Sequence, residues 1–135
     1  MSELADFVGL PFADHGRGDG VDCWGLARAA LKACAGIDLP DYGSGYASVT
    51  DRVGVAQSIR DGLADGWVRV ERPRMYDLAI FNIAGRPGHV GLMVGPTMFL
   101  HAPEPDDDGN GGTSRVESVN SPMWAKRLEG FYRHV

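Results

Sequence analysis

The segment GVDCWGL, residues 20–26, sets one cysteine behind an acid and ahead of a large aromatic, where a run rich in Ala and Leu begins. Four chemistries are open to Cys23: an inert core thiol, half of a disulfide, a metal ligand or a nucleophile. Asp22 suits an N-cap and Gly36 a C-terminal stop, so CWGLARAALKACA between them is predicted to be a helix. Cys23 then holds the first helical position, where unpaired N–H groups and the helix dipole stabilise a thiolate and a neighbouring amide can serve an oxyanion. On that ground the thiol is expected to react well below pH 8, and to drift toward an ordinary pKa of about 8.5 once its base is removed. Against this, unpaired cysteines are among the most buried residues and are mostly inert. The second cysteine, Cys34, is eleven residues on. Helical rise puts it about 16 Å away along the axis, well beyond the roughly 7 Å a disulfide tolerates. No Cys-x-x-Cys pair exists to build a structural zinc site.

A nucleophilic thiol needs a base, and the base needs a group to orient it. Of four histidines, His89 opens HVGLMVG directly after the turn AGRPG, and His101 closes MFLHA. A hairpin looped at residues 95–97 would bring both to the same end of a sheet, one ring against Cys23 and the other holding it. A histidine in a strand is also commonly structural, and Cys23, His89 and His101 would equally suit a zinc ion with three protein ligands and a water. His15 and His134 have no such arrangement and read as surface or structural groups.

The elements that must carry these residues follow from pattern. The first helix has a buried stripe of Cys23, Ala27, Ala30 and Cys34, flanked by Leu26, Leu31 and Ala33. Residues 36–46 form an irregular connection. A second helix is predicted from Asp51 to Ala64, with Val53, Ala56, Ile59 and Leu63 on one face. Short β-rich runs follow at 66–73, 77–83, 89–95, 98–102, 114–119 and 130–135, separated by Gly, Pro or Asn. Helices first and an antiparallel sheet after make an α+β domain, one unit over residues 1–135. A net charge of −5 gives no support for nucleic-acid binding, and no apolar run approaches the roughly 20 residues of a membrane span. The first ten residues hold two acids and no basic segment, so no secretory signal is read there.

In order and spacing, GVDCWGL, YDLAIF, GHVGLMVG and FLHA resemble the NlpC/p-sixty family of papain-like cysteine peptidases, over most of the chain. The resemblance implies N-terminal helices packed on a central antiparallel sheet, with Cys23 as nucleophile, His89 as general base and acid, and His101 orienting His89. It implies acyl transfer on a peptidoglycan stem peptide, usually at the bond between D-glutamate and a diamino acid, without cofactor or metal. Trp24, LPDY at 39–42 and SPMWAKRLEGFYR at 121–133 are similar to the members encoded with phage tails and gene transfer agents. Tail-tip proteins are then the implied partners, and the particle tail, acting on the cell wall, the implied location. Many family members carry a tyrosine upstream of the cysteine, near the oxyanion. The matching pair here is Pro11-Phe12. Without that hydroxyl, the Cys23 amide with Asp22 or Trp24 nearby would carry the oxyanion. A weakly active or inactive tail-tip module of the same fold, or an acyltransferase using the same dyad, is the alternative.

Residues 106–117, DDDGNGGTSRVE, fit a calcium-loop pattern through Asp106, Asp108, Asn110, Gly111 and Glu117. Pro103 and Pro105 before it and a strand-like run after it favour an acidic turn instead. Trp24 is the tryptophan best placed for a substrate groove, ahead of Trp67 and Trp124. Arg17, Arg28 and Arg86 are candidates for substrate carboxylates, with solvated surface roles the commoner outcome. Gly43 and Gly45 serve the loop backbone, and no P-loop or Rossmann pattern occurs.

Overall fold

The computed structural model describes residues 3–16, 20–41, 50–105 and 112–135. Arg17, Tyr42, Gly43, Gly45 and four of the calcium-pattern residues, Asp106, Asp108, Asn110 and Gly111, lie outside them. After a 3-10 turn at Leu4–Phe7 come α1 (Cys23–Ala30), a π-helical turn (Leu31–Ala35) and α2 (Arg52–Leu63). The strands are β1 (Trp67–Val70), β2 (Leu78–Ile83), β3 (Arg86–Met93), β4 (Met98–His101), β5 (Arg115–Ser118) and β6 (Leu128–His134), with a short α3 (Pro122–Ala125) before the last. They form one sheet in the order β1-β6-β2-β3-β4-β5, antiparallel at every step. This is the α+β architecture expected.

Both helix predictions hold in outline. Asp22 caps α1 by accepting from the Gly25 amide at 2.8 Å, and Gly36 ends the helical run in the left-handed region. Neither Cys23 nor Cys34 is in a disulfide. Asp51 caps α2 from the Gly54 amide. Val53, however, is 64% exposed. The buried stripe of α2 runs through Val55, Ala56 and Gly62, with Ile59 and Leu63 packed beside it. At about 100° per residue Val53 falls outside that stripe.

Alternation along the strands divides the core in two. Leu78, Ile80, Val90, Leu92 and Leu100 face α1 with Leu26, Ala27, Ala30 and Leu31. Ala79, Phe81, Met93 and Phe99 face the other way, toward Val119 and Trp124 of the α3 region. With both faces covered, the central strands are continuous apolar runs. The β2–β3 hairpin turns at Ala84 and Gly85, both at positive φ, the geometry of a type I′ turn. That tight turn starts β3 at Arg86, so His89 lies inside the strand and does not open it.

Gly91 shows how closely the second face is packed. A Cβ there would lie 2.5 Å from the Phe99 ring, which is fully buried and has nowhere to retreat. Gly91→Ala is therefore expected to cost about 1–3 kcal/mol, as overpacked cores do. Urea unfolding at pH 7.5 would measure it, and an unchanged midpoint would refute the packing account.

Candidate active site

The cysteine and the histidines reach the site from opposite faces of the sheet. α1 lies on one face and sets Cys23 at its N-terminus; His89 and His101 belong to the other, aromatic face. They meet at the peptide joining His89 to Val90. The Val90 and Trp24 amides lie near enough to the Cys23 sulfur to favour its thiolate, and Cys23 and His89 line one narrow apolar cavity with Phe12, Trp24, Ile80 and Val90. The Trp24 indole donates to the Pro40 carbonyl at 3.1 Å, which fixes its ring beside the thiol.

His89 Nε2 lies 2.8 Å from His101 Nδ1. His101 Nε2 is in turn in contact with the Glu117 carboxylate on β5, which also pairs with Arg115 at 3.3 Å. Aromatic rings fix both imidazoles: Trp124 stacks on His89 with centroids 5.1 Å apart, and Phe99 and Trp124 flank His101 at 4.5 and 4.9 Å. Each imidazole has little freedom to rotate. Both nitrogens of His101 are engaged, so it has none left for a metal ion. Among the described residues no His, Cys, Asp or Glu cluster could hold one.

Burial dominates the electrostatics. It pushes the Cys23 thiol up to about 12, helped by the Asp22 carboxylate and opposed by the Val90 and Trp24 amides. Burial, then the neighbouring His101, drives His89 well below the usual histidine value, and burial with Arg115 pushes His101 down to about 3. The resting site is therefore a neutral thiol beside neutral imidazoles. This corrects the expectation that a helix N-terminus yields a ready thiolate: the Val90 and Trp24 amides favour the thiolate, and desolvation outweighs them. Asp22 acts as helix cap; a carboxylate has no proton to offer an oxyanion. Of the amides at the α1 N-terminus, that of Gly25 is taken by the Asp22 cap, and those of Cys23 and Trp24 are the donors left to offer.

Around His89 the cavity joins an open groove lined by Arg52, Glu104, Arg115, Met123, Trp124 and Arg127. Arg52 is held by Glu104 at 2.9 Å, and Arg127 lies over the Trp124 ring at 5.6 Å. These groove cations differ from the three picked from sequence. Arg28 instead donates to the Leu39 carbonyl at 2.8 Å, and Arg86 starts β3 at the far hairpin. Sequence reasoning also passed over Glu117 as part of the histidine chain, and it ranked Trp124 behind Trp24 for the groove without placing it against the histidines. A signal existed for each. Glu117 shares strand parity with Arg115, the cross-strand partner of His101, and Ser121-Pro122 ahead of Trp124 is a helix start.

Residues 9–133 match the NlpC/P60 family, and the chain belongs to it. It is similar to the Escherichia coli (strain K12) murein DD-endopeptidase MepS/murein LD-carboxypeptidase, 26% identical over 129 residues, covering 94% of this chain and 57% of that one. This chain thus spans little more than half the length of that relative. In fold it is similar to an NlpC/P60 family protein from Bacillus cereus ATCC 10987, with a TM-score of 0.69 at 23% identity, over 97% of this chain and 37% of that one. The NlpC/p60 domain of the peptidoglycan hydrolase SagA gives 0.62 at 22%, over 98% and 92%.

Proposed function

We propose that this single domain is a cysteine peptidase of bacterial peptidoglycan. It cuts the stem peptide between D-glutamate and a diamino acid, with Cys23 as nucleophile, His89 as general base and acid, and His101 orienting His89. The observation that carries the reading is that His89, hydrogen-bonded to His101, lines the same cavity as a helix-N-terminal cysteine. His89 Nε2 is taken by His101, so Nδ1 is the nitrogen left for catalysis. It removes the Cys23 proton as sulfur attacks the amide carbonyl. The tetrahedral oxyanion is met by amides at the start of α1, and Phe12 contributes no hydroxyl. The C–N bond breaks as the His89 imidazolium protonates the leaving amine, and a thioester remains. Water, deprotonated by His89, then releases the acid and the free thiol.

Peptidoglycan digestion by wild type and Cys23→Ala, with fragments read by mass spectrometry, tests this. Release of fragments ending in D-glutamate, lost in the variant, supports both enzyme and bond. Cleavage at the D-alanyl cross-link would retain the enzyme and overturn the bond; no thiol-dependent cleavage would leave a structural module.

The groove supplies a fit for an anionic stem peptide. Arg127, set over Trp124 beside His89, is placed to meet a substrate carboxylate. Arg127→Ala is expected to raise KM about tenfold with kcat nearly unchanged, the loss of one charge-assisted contact. A fall in kcat alone would contradict it. The tail-tip setting rests on the resemblance of Trp24, residues 39–42 and residues 121–133 to phage-tail and gene-transfer-agent members. Mass spectrometry of purified particles would find the chain among the tail proteins, or refute the setting by its absence.

A further inference from the structure

We propose that Glu117 is a positioning residue that sets the tautomers of both histidines, so that His89 presents a bare Nδ1 to Cys23. This rests on the peptidase reading of the site, but its central measurement does not require substrate. The geometry is a chain of three groups. His89 Nε2 is bonded to His101 Nδ1 at 2.8 Å, and His101 Nε2 meets the Glu117 carboxylate. A neutral imidazole has one N–H and one lone pair, and a carboxylate only accepts. His101 must then carry its proton on Nε2 and donate it to Glu117, leaving Nδ1 as acceptor. His89 must carry its proton on Nε2 and donate it to His101. The one remaining lone pair on His89 is Nδ1. Reversing the order would strand two lone pairs against each other at Glu117.

The His89–His101 pair alone does not decide the direction, since either ring can donate to the other. Glu117 breaks the symmetry. It is well suited to do so because it sits on β5 next to His101, opposite Phe99, and Arg115 holds its carboxylate from the solvent side. The same residue is the last position of the calcium-loop pattern, and its carboxylate is occupied here by His101 and Arg115.

The test compares wild type with Glu117→Gln and Glu117→Leu, using ¹⁵N imidazole shifts at pH 7.5 and stem-peptide kinetics. Wild type is expected to show His89 and His101 both protonated at Nε2. Glutamine can accept or donate, so Glu117→Gln is expected to give mixed tautomers and a few-fold loss of kcat. Glu117→Leu is expected to lose the tautomer order and about 10- to 100-fold in kcat, with KM nearly constant, the cost of removing an orienting partner one ring away from the reacting group. Glu117 is partly exposed on an edge strand, so both variants should fold, which circular dichroism checks. Wild-type His89 protonated at Nδ1, or tautomers unchanged in Glu117→Leu, overturns the proposal. A wild type with the expected tautomers but no peptidoglycan cleavage refutes the peptidase reading and leaves the tautomer assignment standing. Activity that follows added calcium and falls with chelator in wild type but not in Glu117→Leu would return Glu117 to the loop and overturn the proposal.

Discussion

Cys23→Ala is expected to abolish stem-peptide cleavage, and His89→Ala to lower kcat/KM by about 10³- to 10⁴-fold, the upper range for a lost general base that also serves as acid. The loss is large because the base is needed at the first step. With the thiol pushed up to about 12, almost no thiolate exists at pH 7 until His89 takes the proton as sulfur attacks. Iodoacetamide labelling of resting Cys23 is therefore expected to be slow at pH 7 and to rise only in alkaline solution, in wild type and His89→Ala alike. Rapid labelling at pH 6 that vanishes in His89→Ala would show a standing thiolate–imidazolium pair and refute the neutral site. The working form of His89 is the unprotonated one, and its pKa is depressed. The acid limb of cleavage should then lie well below pH 6.5.

How much of this was legible in the sequence varies with the physical origin of each feature. The cap of α1, the stop at Gly36 and most of the strand runs are local, and they read correctly because the residues that cause them are neighbours in the chain. That the candidate residues Cys23, His89 and His101 could lie near one another was also readable, since a hairpin and a helix start suffice to bring them together. What failed depended on tertiary packing. The protonation of Cys23 is decided by desolvation, which only the packed cavity supplies. Arg52, Arg115 and Arg127 come to the groove from α2, β5 and the turn after α3, and no spacing rule links them. Glu117 was visible only as part of a loop pattern, because its partner lies across the sheet on β4.

The second large effect concerns stability in acid. In the unfolded chain His89 and His101 titrate near 6.5; in the folded protein His89 is held well below that and His101 near about 3. The folded form therefore refuses protons that the unfolded form accepts. Stability attributable to these two groups is complete above pH 6.5 and falls as pH drops below it. His101 alone contributes about 1.4 kcal/mol per pH unit, so about 2–3 kcal/mol is lost between pH 6.5 and 4.5, and His89 adds to that loss in the same direction, against a small domain's total of about 5–15. The charged groups around them work in opposite directions: Arg52, Arg115 and Arg127 resist protonation, and Glu117 favours it. Urea midpoints across this window are expected to fall, and His101→Asn should reduce the slope while weakening the protein at neutral pH. A midpoint independent of pH from 6.5 to 4.5 would mean that the histidines take up protons in place, and the neutral imidazoles of His89 and His101 would have to be abandoned. If the slope is as expected, loss of the fold contributes to the loss of cleavage in acid. The burial that keeps the base unprotonated then also sets the pH at which the fold fails.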